Sequence, residues 1–170
     1  MEKKNLALNI ENLSVKYKIY EGILEVIPGL SMHVEQAERV GLIGETGCGK
    51  EIVSSGIHTA SHLDGKAPFV KINCTAIPST LLESELFGYE KGAFSGAYST
   101  KLGKFEIAGT GTLLLDEIGS LDPALQSKLL RAIEEKEFER VGGNTLIPLR
   151  ARIVACTNSN LEQKMRDGEF

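Results

Sequence analysis

Hydrophobic and polar positions change their period several times along the chain, and each change predicts an element. Residues 7–17 (ALNIENLSVKY) and 30–35 (LSMHVE) alternate in steps of two, as strands do. Residues 38–44 (ERVGLIG) form a short apolar run closing on glycine, the pattern of a buried strand that feeds a loop. Over 49–61 the period becomes helical, with Ile52, Val53, Ile57 and Ala60 on one stripe. A strand over 67–73 follows, then a helix over 79–87 in which Ser79 is the expected cap and Leu82 and Leu86 share a face. Residues 111–119 (GTLLLDEIG) predict a further buried strand. Residues 122–135 predict the clearest helix, with Asp122 as cap, Pro123 in the first turn, and Leu125, Leu129 and Ile133 at four-residue steps. A hairpin turning around Gly142-Gly143-Asn144, a buried strand over 151–158 and the start of a helix over 161–170 complete the pattern.

Strands that alternate with helices and read as continuous apolar runs belong to a parallel sheet covered on both faces. The fold class is therefore α/β, with antiparallel strands added at the N-terminus. The length of 170 residues suits one ordinary domain, and 42% apolar with 25% charged residues is a globular composition. A net charge of −4 argues against direct, non-specific DNA binding. No run approaches the roughly 18 apolar residues of a membrane span, and no signal-peptide core follows the N-terminus, so a cytoplasmic protein without membrane insertion is expected. Cys48, Cys74 and Cys156 have no metal spacing, and their odd number suits a reducing compartment. Cys74 and Cys156 read as small buried hydrophobes; Cys48 reads either so or as a reactive thiol near a helix N-terminus. His33 is expected in solvent, and His58 and His62 lack a third partner for a metal.

Candidate chemistry enters at Gly44-Glu45-Thr46-Gly47-Cys48-Gly49-Lys50-Glu51. The spacing is that of a phosphate-binding loop, except that Glu51 stands where a metal-binding hydroxyl is usual. Glycines let backbone N–H groups turn toward phosphate oxygens at a helix N-terminus, and Lys50 adds a point charge for the outer phosphates of ATP. A ligand-free glycine turn is the alternative. Three leucines then carry Asp116 and Glu117 to the C-terminal edge of the sheet, where ligands bind in such folds. Asp116 suits Mg²⁺, directly or through water, and Glu117 suits a base that polarises the attacking water. Loop and acids together predict a P-loop NTPase core, a three-layer sandwich with a mostly parallel sheet.

From Glu51 onward the chain closely resembles the AAA+ domain of the sigma-54-dependent transcription activators. The matching stretches are FVKINCTAIPSTLLESELFGYEKGAFSGA, GKFEIAGTGTLLLDEIGSLDPALQSKLLRAIEEKEFERVGG and RIVACTNSNLEQKMRDGEF. The family's signature loop stands here as Gly92-Ala93-Phe94-Ser95-Gly96-Ala97, with serine in place of threonine. The resemblance implies ATP hydrolysis that remodels the sigma-54 RNA polymerase holoenzyme, a homo-oligomer (a hexamer in the family), and Phe94 as the tip touching sigma-54. From the residues alone, Phe94 is either an exposed contact or a loop residue folded onto the core. The resemblance also implies that Asn73 holds the catalytic Glu117 in an inactive orientation and that Asn158 senses the γ-phosphate. Glutamate after the loop lysine is common in the family, so Glu51 is native to it and the metal falls mainly to Asp116.

Residues 1–50 resemble instead the start of an ATP-binding-cassette subunit of a transporter, with Tyr17 in place of the aromatic that stacks on adenine; simple packing is the other reading of Tyr17. The expected organisation is residues 1–50 as cassette-like strands and phosphate loop, and residues 51–170 as a partial AAA+ domain, fused at the shared motif between about 41 and 51. The family's arginine fingers, helical lid and DNA-binding domain would follow Phe170, so the expectation is a C-terminally truncated core whose turnover is impaired. A transporter-cassette fragment and a non-catalytic P-loop remnant are the alternatives.

Overall fold

A computed structural model of the chain describes residues 6–20, 22–35, 41–44, 49–61 and 65–170. The long N-terminal strands β1 (Leu6–Ile19) and β2 (Gly22–Glu35) pair antiparallel with each other. The sequence pattern places a strand only over 30–35, whereas β2 starts at Gly22 and runs through Pro28 and Gly29. They sit where the pairing register shifts between Leu13↔Leu30 and Val15↔Ile27, so that two residues of β2 face one of β1. Gly29 suits its φ of +148°, a backbone that other residues rarely adopt.

The central sheet has four parallel strands in the order β3 (Gly41–Ile43), β10 (Arg152–Thr157), β7 (Thr112–Asp116) and β4 (Phe69–Asn73). Alternate leucines of β7 face opposite ways. Leu113 and Leu115 join a cluster with Leu82, Leu86 and Phe87 of α2 (Ser79–Phe87) and Leu125, Leu129 and Ala132 of α4 (Pro123–Glu135). Leu114 joins Val154 and Cys156 beneath Val53 and Ile57 of α1 (Lys50–Ser61), with Ile27 of β2 in the same cluster. Each sheet face is thus dry, as a parallel sheet requires. The hairpin β1–β2 is a separate two-stranded sheet against this second cluster and does not extend the parallel sheet.

Three local expectations change. Helix α2 is not capped by Ser79: Pro78 is its N-cap and no side chain makes a capping bond, since Ser79 already lies inside the first turn. The strand expected over 111–119 ends at Asp116, because Glu117 is left-handed (φ +60°) and Ile118–Ser120 form a 3-10 turn. Between α2 and β7 lie elements without a readable period: β5 (Gly88–Tyr89) paired with β6 (Lys101–Leu102), and α3 (Lys104–Ala108). The expected cap of α4 is present, with Asp122 Oδ1 accepting from the Leu125 N–H at 2.9 Å. The hairpin around 142–144 is formed by β8 (Glu137–Phe138) and β9 (Ile147–Pro148), and α5 (Leu161–Arg166) closes the described chain with Asn160 as its cap.

Candidate functional site

The C-terminal end of β10 is the hub. It pairs with β3, and the Gly44 N–H donates to the Thr157 carbonyl at 3.2 Å, so the glycine-rich loop starts beside Thr157. Glu45, Thr46, Gly47 and Cys48 lie outside the described residues, as does His62, and the side chains of Tyr17 and Ala60 also lie outside them. At the loop's far end Gly49 has φ +90°, which favours glycine, and α1 begins at Lys50. The Lys50 ammonium donates to the Gly44 carbonyl at 2.7 Å, drawing the two ends of the loop together.

On the other side of β10, Cys156 is level with Asp116, which is level in turn with Asn73 on β4. The Cys156 thiol reports the convergence electrically. Burial raises its pKa most, the Ser54 hydroxyl 3.6 Å away opposes this, Asp116 and Glu117 raise it further, and Lys50 lowers it. One sulfur therefore feels the loop lysine and both acids. Cys74 is raised to about 11 by burial first, then by Asp116 and Glu117. This preference for the neutral thiol stabilises the fold fully below about pH 9, and is lost as pH rises toward 11. Alkylation of Cys74 at pH 8 is accordingly expected to be roughly a hundredfold slower in the folded chain than in urea, read by peptide mass spectrometry; equal rates would show an unperturbed thiol.

The acids have different holders from those expected. Asn73 Nδ2 lies 3.5 Å from Asp116 Oδ2, and its Oδ1 accepts from both the backbone N–H and the hydroxyl of Thr75. Glu117 is engaged at and just beyond the end of β10: Asn158 N–H donates to its Oε2 at 2.9 Å, with the Thr157 hydroxyl at 3.4 Å. Asn158 thus meets Glu117 through its backbone, and Asn73 meets Asp116 rather than Glu117. Glu51 points to β4, where it pairs with Lys71, so its carboxylate is turned to the sheet surface. Thr157, Ser159 and Gly119 complete this corner; single small residues of this kind give no periodic signal in a sequence.

The loop Gly92–Ala97 rises between β5 and β6 with glycines at φ +85° and +104° at Gly92 and Gly96. It is closed by the Gly92 N–H to the Ala97 carbonyl at 2.8 Å. Ala97 is buried; Phe94 is 44% exposed and meets the Tyr89 ring edge-on at 4.9 Å. The tip is thus both exposed and braced. At its base Arg140 bonds both oxygens of Glu106, at 2.9 and 2.6 Å, and also reaches Glu90 at 2.6 Å. The Thr100 hydroxyl and then Arg140 hold Glu90 below the usual carboxylate range, while Glu106 and Glu90 raise Arg140.

A sequence model described as "Sigma-54 interaction domain" matches residues 20–170. The chain belongs to that family. The sigma-54 match runs through the seam expected between 41 and 51 and back to residue 20. The Nif-specific regulatory protein of Bradyrhizobium diazoefficiens is 51% identical over 156 residues, covering 88% of this chain and 27% of that protein. The Nif-specific regulatory protein of Herbaspirillum seropedicae is 46% identical over 176 residues, covering 99% of this chain and 32% of that protein. The crystal structure of NtrX from Brucella abortus in complex with ATP superposes with a TM-score of 0.68 at 37% identity, covering 78% of this chain and 29% of that one. The chain thus spans about a quarter to a third of these relatives. The matches favour a sigma-54 activator domain over a transporter-cassette fragment. Among the described residues no helix is long and apolar enough to cross a membrane.

Proposed function

We propose that the chain is the ATP-binding, ATP-hydrolysing domain of a transcription activator, which uses nucleotide turnover to remodel the sigma-54 RNA polymerase holoenzyme. The observation that carries this reading is the meeting of Gly44, Lys50, Asp116 and Glu117 around the end of β10. The N-terminus of α1 and Lys50 would bind the phosphates, with Gly44, Glu45, Thr46, Gly47, Cys48 and Gly49 as the loop. Asp116 fits Mg²⁺: this cation takes one or two carboxylates, keeps several waters and completes its shell with phosphate oxygens, so a single acid at the sheet edge suffices. When bound there, the ion would neutralise charge on the phosphates. Glu117 takes the proton of the attacking water, and must leave the Asn158 amide to do so. Asn73 orients Asp116, and Asn158 registers the outer phosphate.

Residues 92–97 form the sigma-54 contact, with Phe94 as the tip. Capture of purified sigma-54 by the chain bearing an ATP transition-state mimic is expected to fall at least about tenfold for Phe94→Ala, as truncation of a central aromatic anchor does; equal capture would remove Phe94 from the contact. Assembly into a homo-oligomer belongs to the same reading.

For the N-terminus we infer a cassette-like lead-in fused to the activator domain. What supports it is that the β1–β2 hairpin forms its own antiparallel sheet, apart from the parallel one. On this reading Tyr17 stacks on adenine, and Tyr17→Ala weakens ATP binding roughly tenfold, in keeping with the stacking energy of one base. Unchanged affinity would leave Tyr17 a packing residue.

A further inference from the structure

Glu117 is followed by a tight turn, and the residue two positions on is a buried glycine whose φ is not left-handed, so backbone freedom does not explain Gly119. Space does. A Cβ there would lie 2.8 Å from both Cβ and Oγ of Ser159 and 2.9 Å from Thr157 Oγ1, closer than real Cβ contacts come. Those two residues flank Asn158, whose N–H donates to Glu117 Oε2 at 2.9 Å. Ser159 N–H also donates to Thr157 Oγ1 at 3.0 Å, which makes the corner a closed unit. From the other side, the Ser120 N–H and hydroxyl both donate to the Glu117 carbonyl, at 3.1 and 2.7 Å.

We propose that Gly119 is a positioning residue: its bare Cα seats the turn flush on Thr157 and Ser159, so that the Glu117 carboxylate reaches the Asn158 amide. The hold on Glu117 then comes from the residue just after β10, while Asn73 is engaged with Asp116 and Thr75. The functional consequence rests on the reading of Glu117 as the base, whereas the seating itself does not. One methyl group at 119 must push the turn off β10 by several tenths of an ångström, because two of its three close neighbours belong to the rigid start of a side chain, Ser159 Cβ, and to a buried threonine, Thr157.

Amide hydrogen exchange, followed by NMR in the full 170-residue chain without nucleotide, tests the seating directly. In Gly119→Ala the Asn158 amide is expected to exchange at least about tenfold faster than in wild type, matching Glu117→Ala, which removes the acceptor. The amides of Val70 and Ile72 on the far strand are expected to keep their rates. The pair Gly119→Ala with Ser159→Gly, which removes the colliding atoms of Ser159, is expected to regain protection. Unchanged Asn158 exchange in Gly119→Ala overturns the proposal; should that variant fail to fold, failure of Ser159→Gly to restore folding overturns it too. Phosphate release measured in parallel separates the two ideas: lost protection with unaltered release would defeat Glu117 as base and leave the Gly119 contact standing.

Discussion

Lys50→Ala is expected to weaken ATP binding about ten- to a hundredfold, measured by titration with a fluorescent ATP analogue. The ammonium is the one formal positive charge the loop motif supplies, and a charge-assisted bond to phosphate contributes about 1.5–3 kcal/mol once partly shielded from water. The same group donates to the Gly44 carbonyl at 2.7 Å, which holds it at the mouth of the loop. The fold is expected to survive the change, because the core below the loop is made by Val53, Ile57, Leu114 and Val154 rather than by the lysine. An affinity equal to wild type would place the nucleotide somewhere other than this loop.

Glu117→Gln is expected to leave ATP affinity intact and lower phosphate release by about 10² to 10⁴, the usual contribution of a positioned general base. An amide oxygen can still accept from the Asn158 N–H, so the variant keeps the resting contact and removes only the ability to take a proton. That separation makes the amide a sharper test than alanine. Release over many hours at saturating ATP would be compared in wild type and variant; the same rate in both would mean that another group, or bulk water, takes the proton. Asp116→Asn acts on the other acid and provides the contrast, since its loss bears on metal and phosphate rather than on the attacking water.

How much of this site could be read along the chain depends on whether a residue acts through its neighbours in sequence or in space. Gly49 and Lys50 are legible because the need for a left-handed glycine just before a helix, and for a lysine at its first position, is local. Asp116 is legible because the leucines before it predict a buried strand whose end is an edge. The 3-10 turn after Asp116 is not, since Ile118 and Gly119 continue the apolar run as a strand would. The full length of β2 is not legible either: Pro28 and Gly29 are accommodated by a register shift in which β2 itself carries the extra residue. Lys71 gives no hint in the sequence that it will take up the Glu51 carboxylate, twenty residues away along the chain and on another element.

By itself the sequence determined the layered α/β fold, the left-handed glycine and lysine that open α1, the acid pair at a strand end and the glycine-hinged loop carrying Phe94. Each of these is written in short-range periodicity, turn chemistry or a contiguous motif. Only the tertiary structure decided which group holds which acid: Asn73 on Asp116, the Asn158 amide on Glu117, Arg140 across Glu90 and Glu106. The pairings of the two acids depend on the order β3-β10-β7-β4, which brings the ends of β4, β7 and β10 level. Strand order is set by how whole apolar faces pack under the helices, and no local stretch of residues carries that information.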